Sequence, residues 1–238
     1  MLGIIVKLTT PLASNIIAFL QMKSRVLLQN IPNFRKFFAE MARILQSGGN
    51  IIIATDTVYG IIADANNTNA IESIYKLKSR PKSKPLQILT TQEIMVKILK
   101  IHKNGKELVQ NRPKGSTTFV SHIKHHKNYP ISKKIYGING KIGVRTPDDE
   151  TLLAFLKYYA KPIAATSCNI STEPPATSFA HAKKDFTNKI AIICKGTVKL
   201  AKPSSVVDIS KIANTKGAIE GGSIESKCAI KYAIKILR

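Results

Sequence analysis

Apolar residues recur at helical spacing through residues 33–47, where Phe34, Phe37, Phe38, Met41 and Leu45 share one face. Asn33 stands where an N-cap belongs, and Gly48-Gly49 supplies the stop. Four consecutive apolar residues, 51–54, follow that turn and predict a buried strand that ends in a polar cluster at Thr55. A second helix is expected over 69–77, with Ala70, Ile71, Ile74 and Leu77 inward. Pro81 and Pro85 keep the basic segment 78–85 out of helix and central strand. Beyond it the pattern predicts a strand at 86–89 and a third helix opening at Thr91 or Gln92 and running through Ile101. Strands follow at 117–123 and 143–145, then a helix over 149–159 capped by Asp148. A short strand at 163–165 leads into Thr166-Ser-Cys-Asn169, and 178–186 is helical. Strands at 190–193 and 206–208 come next, and 229–237 reads as a last strand or a short helix. This alternation predicts an α/β (α+β) fold with a mixed sheet. Residues 1–30 read as a peripheral N-terminal extension and 31–238 as one domain.

Composition narrows the function classes. No run of 18 apolar residues appears, so no membrane partner is expected. The acid-free start to residue 39 lacks the clean apolar core and small-residue cleavage site of a secretory signal. Cys168, Cys194 and Cys228 are far apart and odd in number, with no Cys-x-x-Cys pair, which points to reduced thiols and a cytoplasmic location. The formal net charge of +23 points to polyanions. Lysines outnumber arginines 30 to seven, however, whereas base readout and planar phosphate recognition favour arginine. A general lysine bias and a functional basic surface both remain open on this ground.

Three polar groups lie at strand ends or loops. Thr55-Asp-Thr-Val-Tyr-Gly60 offers hydroxyls and a carboxylate that could grip a small polar substrate; the same residues also make turns. Lys78, Arg80, Lys82 and Lys84 alternate along the Pro-braced loop, so an extended loop would point them one way, towards a triphosphate or simply into solvent. The chain has no Gly-x-x-x-x-Gly-Lys-Ser/Thr loop, so any ATP would be held differently. Thr166-Ser-Cys-Asn-Ile-Ser171 could hydrogen-bond phosphate or carboxylate, or form an Asn/Ser turn. His122, His125 and His126 lie among lysines without acidic or cysteine partners, so no metal site is expected.

Taken in order, these segments resemble the YrdC family. Ala54-Thr-Asp-Thr-Val-Tyr-Gly60 matches a family strand end in all but its first residue, and Lys78-Ser-Arg-Pro81 followed by Pro85-Leu86 matches a second motif. Gly143-Val-Arg-Thr-Pro147, Ala165-Thr-Ser-Cys-Asn-Ile-Ser-Thr172 and Ser204-Ser-Val-Val-Asp208 resemble three more. The resemblance implies a twisted mixed open sheet flanked by helices, with a basic concave face. It implies synthesis of threonylcarbamoyl-AMP from L-threonine, bicarbonate and ATP, with Mg²⁺ sharing the phosphate charge. Downstream threonylcarbamoyl-transferase proteins would then carry the group to tRNA. By the same likeness, Lys78 and Arg80 are the expected catalytic residues, and Lys78, Arg80 and Lys82 would hold ATP phosphates. Ser167 and Asn169 would line the nucleotide site, and Thr55, Arg145, Ala165 and Ser205 would contact threonine.

The sequence departs from the family pattern at several points. Ala54 replaces a proline, Thr172 replaces a glycine, and Pro113-Lys-Gly-Ser-Thr117 keeps a Pro-Gly-Pro-x-Thr segment poorly. Glu220 stands where an arginine is usual, with Lys216 as a stand-in cation. Two alternatives to the synthase are an RNA-binding protein using the same basic face and a paralogue with another carbamoyl acceptor.

Overall fold

The computed structural model describes residues 32–210, apart from 112–114, 116, 187–188, 191 and 195. Residues 1–31 and 211–238 lie outside it, and with them Lys216, Glu220 and the expected element at 229–237. Helix α1 (Pro32–Gln46) begins one residue before the expected cap, so Asn33 sits inside its first turn. It ends where Gly48 takes φ +86, letting Gly48 N–H and Gly49 N–H reach back to the carbonyls of Leu45 and Ile44.

Eight strands form one mixed sheet: β1 (Ile51–Ala54), β2 (Tyr59–Asp64), β3 (Gln87–Leu89), β4 (Thr117–His122), β5 (Lys141–Arg145), β6 (Ile163–Ser167), β7 (Ile192–Ile193) and β8 (Ser205–Asp208). Their order is β7-β1-β2-β6-β3-β5-β4-β8. The β1/β2, β2/β6, β3/β6 and β4/β5 pairs are antiparallel, and β1/β7, β3/β5 and β4/β8 are parallel. Strand β2 was not foreseen: every residue of it is buried, so the alternation that marks a half-exposed strand is missing.

The helices are α2 (Thr68–Leu77), α3 (Gln92–Ile98), α4 (Lys103–Asn111), α5 (Glu150–Tyr159) and α6 (Phe179–Phe186). Helix α2 buries Tyr75 in addition to Ala70, Ile71 and Ile74, while Leu77 is only half-buried. The expected helix to Ile101 stops at Ile98, because Leu99 turns extended to bridge Ile123, and a separate α4 follows. Asp149 rather than Asp148 caps α5, its carboxylate accepting from Leu152 N–H at 2.8 Å.

The sheet's two faces are covered unequally. One face packs on α2, α3 and α6 through Ile61, Ile71, Ile74, Ile88, Ile94, Ile98 and Phe186. On the other, Ile51, Ile53, Ile62, Leu89 and Ile163 meet α1 and α5. There Met41 and Leu45 are fully buried, and Phe38 meets Phe155 edge-on at 5.4 Å. Each such side chain contributes roughly 1.5–3 kcal/mol by leaving water. Among the described residues, no helix covers the cavity-facing parts of β3, β5, β4 and β8 on this second face, and a concavity opens there.

Strands β7 and β8 lie at opposite edges of the sheet, so the chain between them must traverse its whole width. It is tied down on the way: Tyr59 Oη donates to Gly196 O at 2.7 Å, and Leu200 N–H donates to Asp56 O at 2.9 Å. The Thr118 and Ser204 hydroxyls meet at 2.8 Å. Pro203 and Ser204 then wall one side of the concavity.

Candidate active site

The concavity is a cavity of about 590 Å³. Alternate residues of β3, β4, β5, β6 and the edge strand β8 face it: Gln87, Thr118, Val120, Lys141, Gly143, Ala165, Ser167, Val206 and Asp208. Thr57, Val58 and Arg80 complete the rim. Gly143 keeps the floor deep, since a Cβ there would press within 3.1 Å of Thr118 Cγ2.

Of the residues expected from sequence, Arg80, Ala165 and Ser167 line this cavity. The loop that carries Arg80 is not extended. Ser79 takes φ 50, and Lys84 N–H closes a turn onto Pro81 O at 3.0 Å. The four cations therefore diverge. Arg80 donates from Nε to Lys84 O at 2.9 Å and from Nη2 to Pro85 O at 3.0 Å, which fixes the guanidinium against the rim. Partial burial pulls its pKa below the ordinary arginine value, so its charge is incompletely solvated. Lys82 is exposed, close enough to Glu72 to lower that carboxyl's pKa together with the nearer Lys134.

Lys78 turns inward and is fully buried. Its ammonium donates to Ser167 O, to Asn169 O at 2.6 Å and to Asn169 Oδ1 at 3.0 Å. Burial, and secondarily Arg80, pull its pKa down to about 8. Asn169 is likewise committed: Oδ1 also accepts from Ser167 Oγ at 2.6 Å, and Nδ2 donates to Glu173 O at 2.6 Å. Lys78 and Asn169 thus shape the loop that presents Ser167 instead of facing the cavity. Thr172 closes this loop at φ 84, a conformation that suits glycine and strains a β-branched residue.

Thr55 is buried within the β1–β2 turn. Its hydroxyl donates to Val58 O at 2.7 Å and accepts from Thr57 N–H at 3.1 Å, holding Thr57 and Val58 out at the rim. Arg145 shares its strand face with Lys141 and Gly143 but is only 1% exposed. Its Nη1 donates to Asp56 Oδ1 and Oδ2 at 2.8 and 2.9 Å and to Gly115 O at 2.9 Å, whereas its buried Nε finds no partner among the described residues. Gly115, at φ +79, makes this closure possible: a Cβ there would lie 2.0 Å from Asp56 Oδ2. Ser205 is exposed and points away from the cavity, which its neighbours Ser204 and Val206 line.

Lys141 falls in none of the sequence motifs, and Asp208, which ends the Ser204–Asp208 motif, carried no assigned role. Lys141 Nζ lies 2.8 Å from Asp208 Oδ2, with the side chains 20% and 13% exposed. Asp208 Oδ1 accepts from Ser210 N–H and Oγ at 2.9 and 2.6 Å. Burial works against the carboxylate's charge, but the bonds from Lys141 and Ser210 outweigh it and hold its pKa below the usual value. Lys141 was legible only as the residue two and four places before Gly143 and Arg145, hence on their strand face.

Cys168 and Cys194 are free and buried, and burial pushes each thiol up to about 12. Such thiols are inert as nucleophiles. Among the described residues no helix is long and apolar enough to cross a membrane.

Comparison with known proteins locates this arrangement. The chain is 31% identical over 173 residues to the threonylcarbamoyl-AMP synthase of Pyrococcus abyssi, covering 71% of this chain and 50% of that protein. It is 29% identical over 160 residues to the threonylcarbamoyl-AMP synthase of Bacillus subtilis, covering 66% and 45%. The chain spans about half the length of the curated relatives it matches. Among solved structures, P. abyssi Sua5 complexed with L-threonine superposes with a TM-score of 0.66 at 31% identity, over 72% of this chain and 50% of that one. Escherichia coli YciO shares the fold with a TM-score of 0.67 at 19% identity, over 74% and 85%. Residues 43–219 match the family model Sua5_yciO_yrdC, described as "Telomere recombination". The chain belongs to the Sua5/YciO/YrdC family.

Proposed function

We propose that this chain is an L-threonylcarbamoyladenylate synthase, a nucleotidyltransferase that joins L-threonine, bicarbonate and ATP and releases pyrophosphate. The observation that carries this reading is the cavity itself, a concavity of about 590 Å³ with Arg80 and Ser167 at its wall and, among the described residues, no nucleophilic thiol or imidazole lining it. The solved relative that binds L-threonine superposes on this fold, and the curated relatives carry the synthase name.

The reaction needs assembly and charge neutralisation more than a covalent nucleophile. Threonine's amine attacks bicarbonate, and loss of water gives a carbamate. A carbamate oxygen then attacks the α-phosphorus, and the bond to the pyrophosphate oxygen breaks. Arg80 meets the developing phosphate charge, while Ser167 and Thr57 orient polar groups. Lys78 acts as a positioning residue: it fixes the 167–169 loop through three acceptors. Thr55 and Arg145 similarly act through the turn and the 56–145 closure they hold. Lys82, exposed on the Arg80 loop, would meet the nucleotide only outside the cavity wall, and Ser205, which points away from the cavity, has no contact in this reading. Among the described lining residues Asp208 is the one carboxylate, and Lys141 and Ser210 already hold it, so Mg²⁺ fits best as an ion carried by ATP rather than one caged by the protein.

The product is an activated acyl-adenylate for cytoplasmic threonylcarbamoyl-transferase partners that modify tRNA adenosine. The test is incubation with ATP, bicarbonate and labelled threonine, followed by chromatography for the adenylate and assay of pyrophosphate. Label in the adenylate that requires bicarbonate supports the reading; ATP binding with no adenylate under any threonine or bicarbonate concentration overturns it. Arg80→Ala should weaken ATP binding by about 1.5–3 kcal/mol, the worth of a charge-assisted hydrogen bond.

A further inference from the structure

A second hollow, of about 580 Å³, lies between the end of α3 and α4 and shares no lining residue with the cavity described above. Leu99 and Val109 are buried beneath it, Ile101 is half-buried, and Val96 is 45% exposed, so an apolar floor meets solvent here. Lys100, Lys106 and Lys124 stand around that floor, all exposed. Among the described residues none of these three has an ion-pair partner, and no carboxylate lines the hollow. Helix α3 packs on the first face of the sheet, whereas the cavity opens on the second, so an occupant of the hollow leaves the cavity free.

The hollow exists because α3 stops early. Leu99 turns extended and bridges Ile123, with Lys100 N–H donating to His122 O at 2.9 Å and Lys124 N–H to Ile98 O at 2.7 Å. Ser121 Oγ adds a bond to Lys100 O at 2.6 Å. Helix α4 then brings Lys106, Val109 and Gln110 to one face at i, i+3 and i+4. Gln92 Nε2 donates to Val109 O at 3.4 Å and joins α4 back to α3. The Lys100 and Lys124 backbone donors are thus already used, so recognition falls to side chains rather than to an added strand.

Charge and shape select the occupant. Among the described residues the lining has no aromatic ring, so nucleic-acid bases find nothing to stack on. An aliphatic floor ringed by lysines complements a helix whose apolar stripe is flanked by carboxylates. This chain supplies no such helix by charge: residues 1–31 carry three cations and no acid, and 211–238 carry six cations and two acids. A second copy would bring the same net charge of +23. We propose that the groove between α3 and α4 docks an acidic amphipathic helix of a partner protein. The inference stands independently of the synthase reading.

The test is fluorescence anisotropy with a labelled synthetic helix about four turns long, with leucines on one face and glutamates on the other. A scrambled peptide of the same composition keeps the charge and loses the face, and a single-stranded RNA oligonucleotide supplies phosphates instead. The proteins are full-chain wild type, Val96→Glu, Lys106→Glu and Lys157→Glu, the last making the same charge change on α5 across the sheet. Wild type should prefer the amphipathic peptide to its scramble by about tenfold or more. Val96→Glu should weaken it by about tenfold or more, because a carboxylate then meets the apolar stripe. Lys106→Glu should weaken it about three- to tenfold, and Lys157→Glu should stay within about twofold. All three positions are exposed, so melting temperatures close to wild type report that the variants fold. Absence of peptide binding up to about 1 mM overturns the proposal. So does equal binding of the scramble, or binding untouched by both Val96→Glu and Lys106→Glu. RNA binding that Lys106→Glu weakens and the amphipathic peptide fails to displace would make the groove a phosphate surface and overturn it as well.

Discussion

The two ends of one face of β5 carry the same chemistry in opposite settings. Lys141 and Arg145 each pair with an aspartate at 2.8 Å. The Arg145–Asp56 pair is sealed, each side chain 1% exposed, under a turn and the Gly115 loop. The Lys141–Asp208 pair lies on the cavity wall at 20% and 13% exposure. A sealed pair bears the full desolvation of two ions and cannot exchange partners; its role is to fix the Asp56 turn to the sheet. An open pair loses little by releasing its cation to an arriving anion. Solvent access, rather than residue type, therefore separates the sealed end of this strand from the open end.

The largest expected effect breaks the sealed pair. Asp56→Ala leaves a guanidinium buried without its counter-ion, which costs about 3–5 kcal/mol. Denaturant unfolding and a melting temperature lower by several degrees would register it. The double variant Asp56→Ala with Arg145→Met should recover much of that loss, because two apolar side chains can replace a buried pair almost neutrally. A single-variant loss below about 1 kcal/mol would mean that Arg145 is solvated after all, and the contrast along β5 would collapse.

Lys78 tests whether a buried cation beside the cavity behaves like the sealed end. Lys78→Met leaves the Ser167 and Asn169 carbonyls without their donor, at about 1–3 kcal/mol near neutral pH. Its pKa of about 8 lies below the unfolded lysine value, so the unfolded state binds more protons between the two. The stability Lys78 contributes is thus complete above the unfolded value and is lost as pH falls through about 8. The gap between wild type and Lys78→Met should therefore widen as pH rises from 7 towards 10.5. Unfolding curves for both proteins across that range decide it, and a gap that narrows refutes the burial of this ammonium.

Much of this was legible in the sequence, and the remainder fails for identifiable reasons. Helix α1 and strand β1 follow from periodicity and the Gly48-Gly49 stop. Strand β2 hid behind the Thr55–Gly60 cluster and its own complete burial, which erases the period of two. Helix α4 hid because its charged sequence contains Gly105, which reads as a breaker. In the site, the cationic loop was visible but the directions of its side chains were not. Those depend on Ser79 turning left-handed and on the Ser167 and Asn169 carbonyls, distant in sequence, that draw Lys78 inward. Lys141 carried no motif, and its place on the cavity face became evident only once β5 and β3 were in register.

Thr172 should give a smaller effect of opposite sign. Its φ of 84 costs a β-branched residue roughly 1–3 kcal/mol, part of which glycine returns as unfolded-state entropy. Thr172→Gly should therefore stabilise the protein by about 1 kcal/mol in denaturant titration. A net loss would show that contacts of the threonine side chain outweigh the backbone strain.

The smallest expected effect is at the open pair. A partly exposed ion pair contributes about 0–1 kcal/mol, so Lys141→Met should barely move the unfolding midpoint in urea, which leaves the pair unscreened. What it contributes should have a defined pH window. Asp208's pKa is lowered in the folded state, so its stabilisation is present above the ordinary carboxylate value and disappears as pH falls through the lowered one. Wild type and Lys141→Met should accordingly converge in acid and differ slightly at neutral pH, with salt reducing the neutral-pH difference. A loss of 3 kcal/mol or more at neutral pH would make this pair as structural as Arg145–Asp56. Lys141 could not then leave Asp208 without unfolding its surroundings, and the two ends of β5 would have to be read alike.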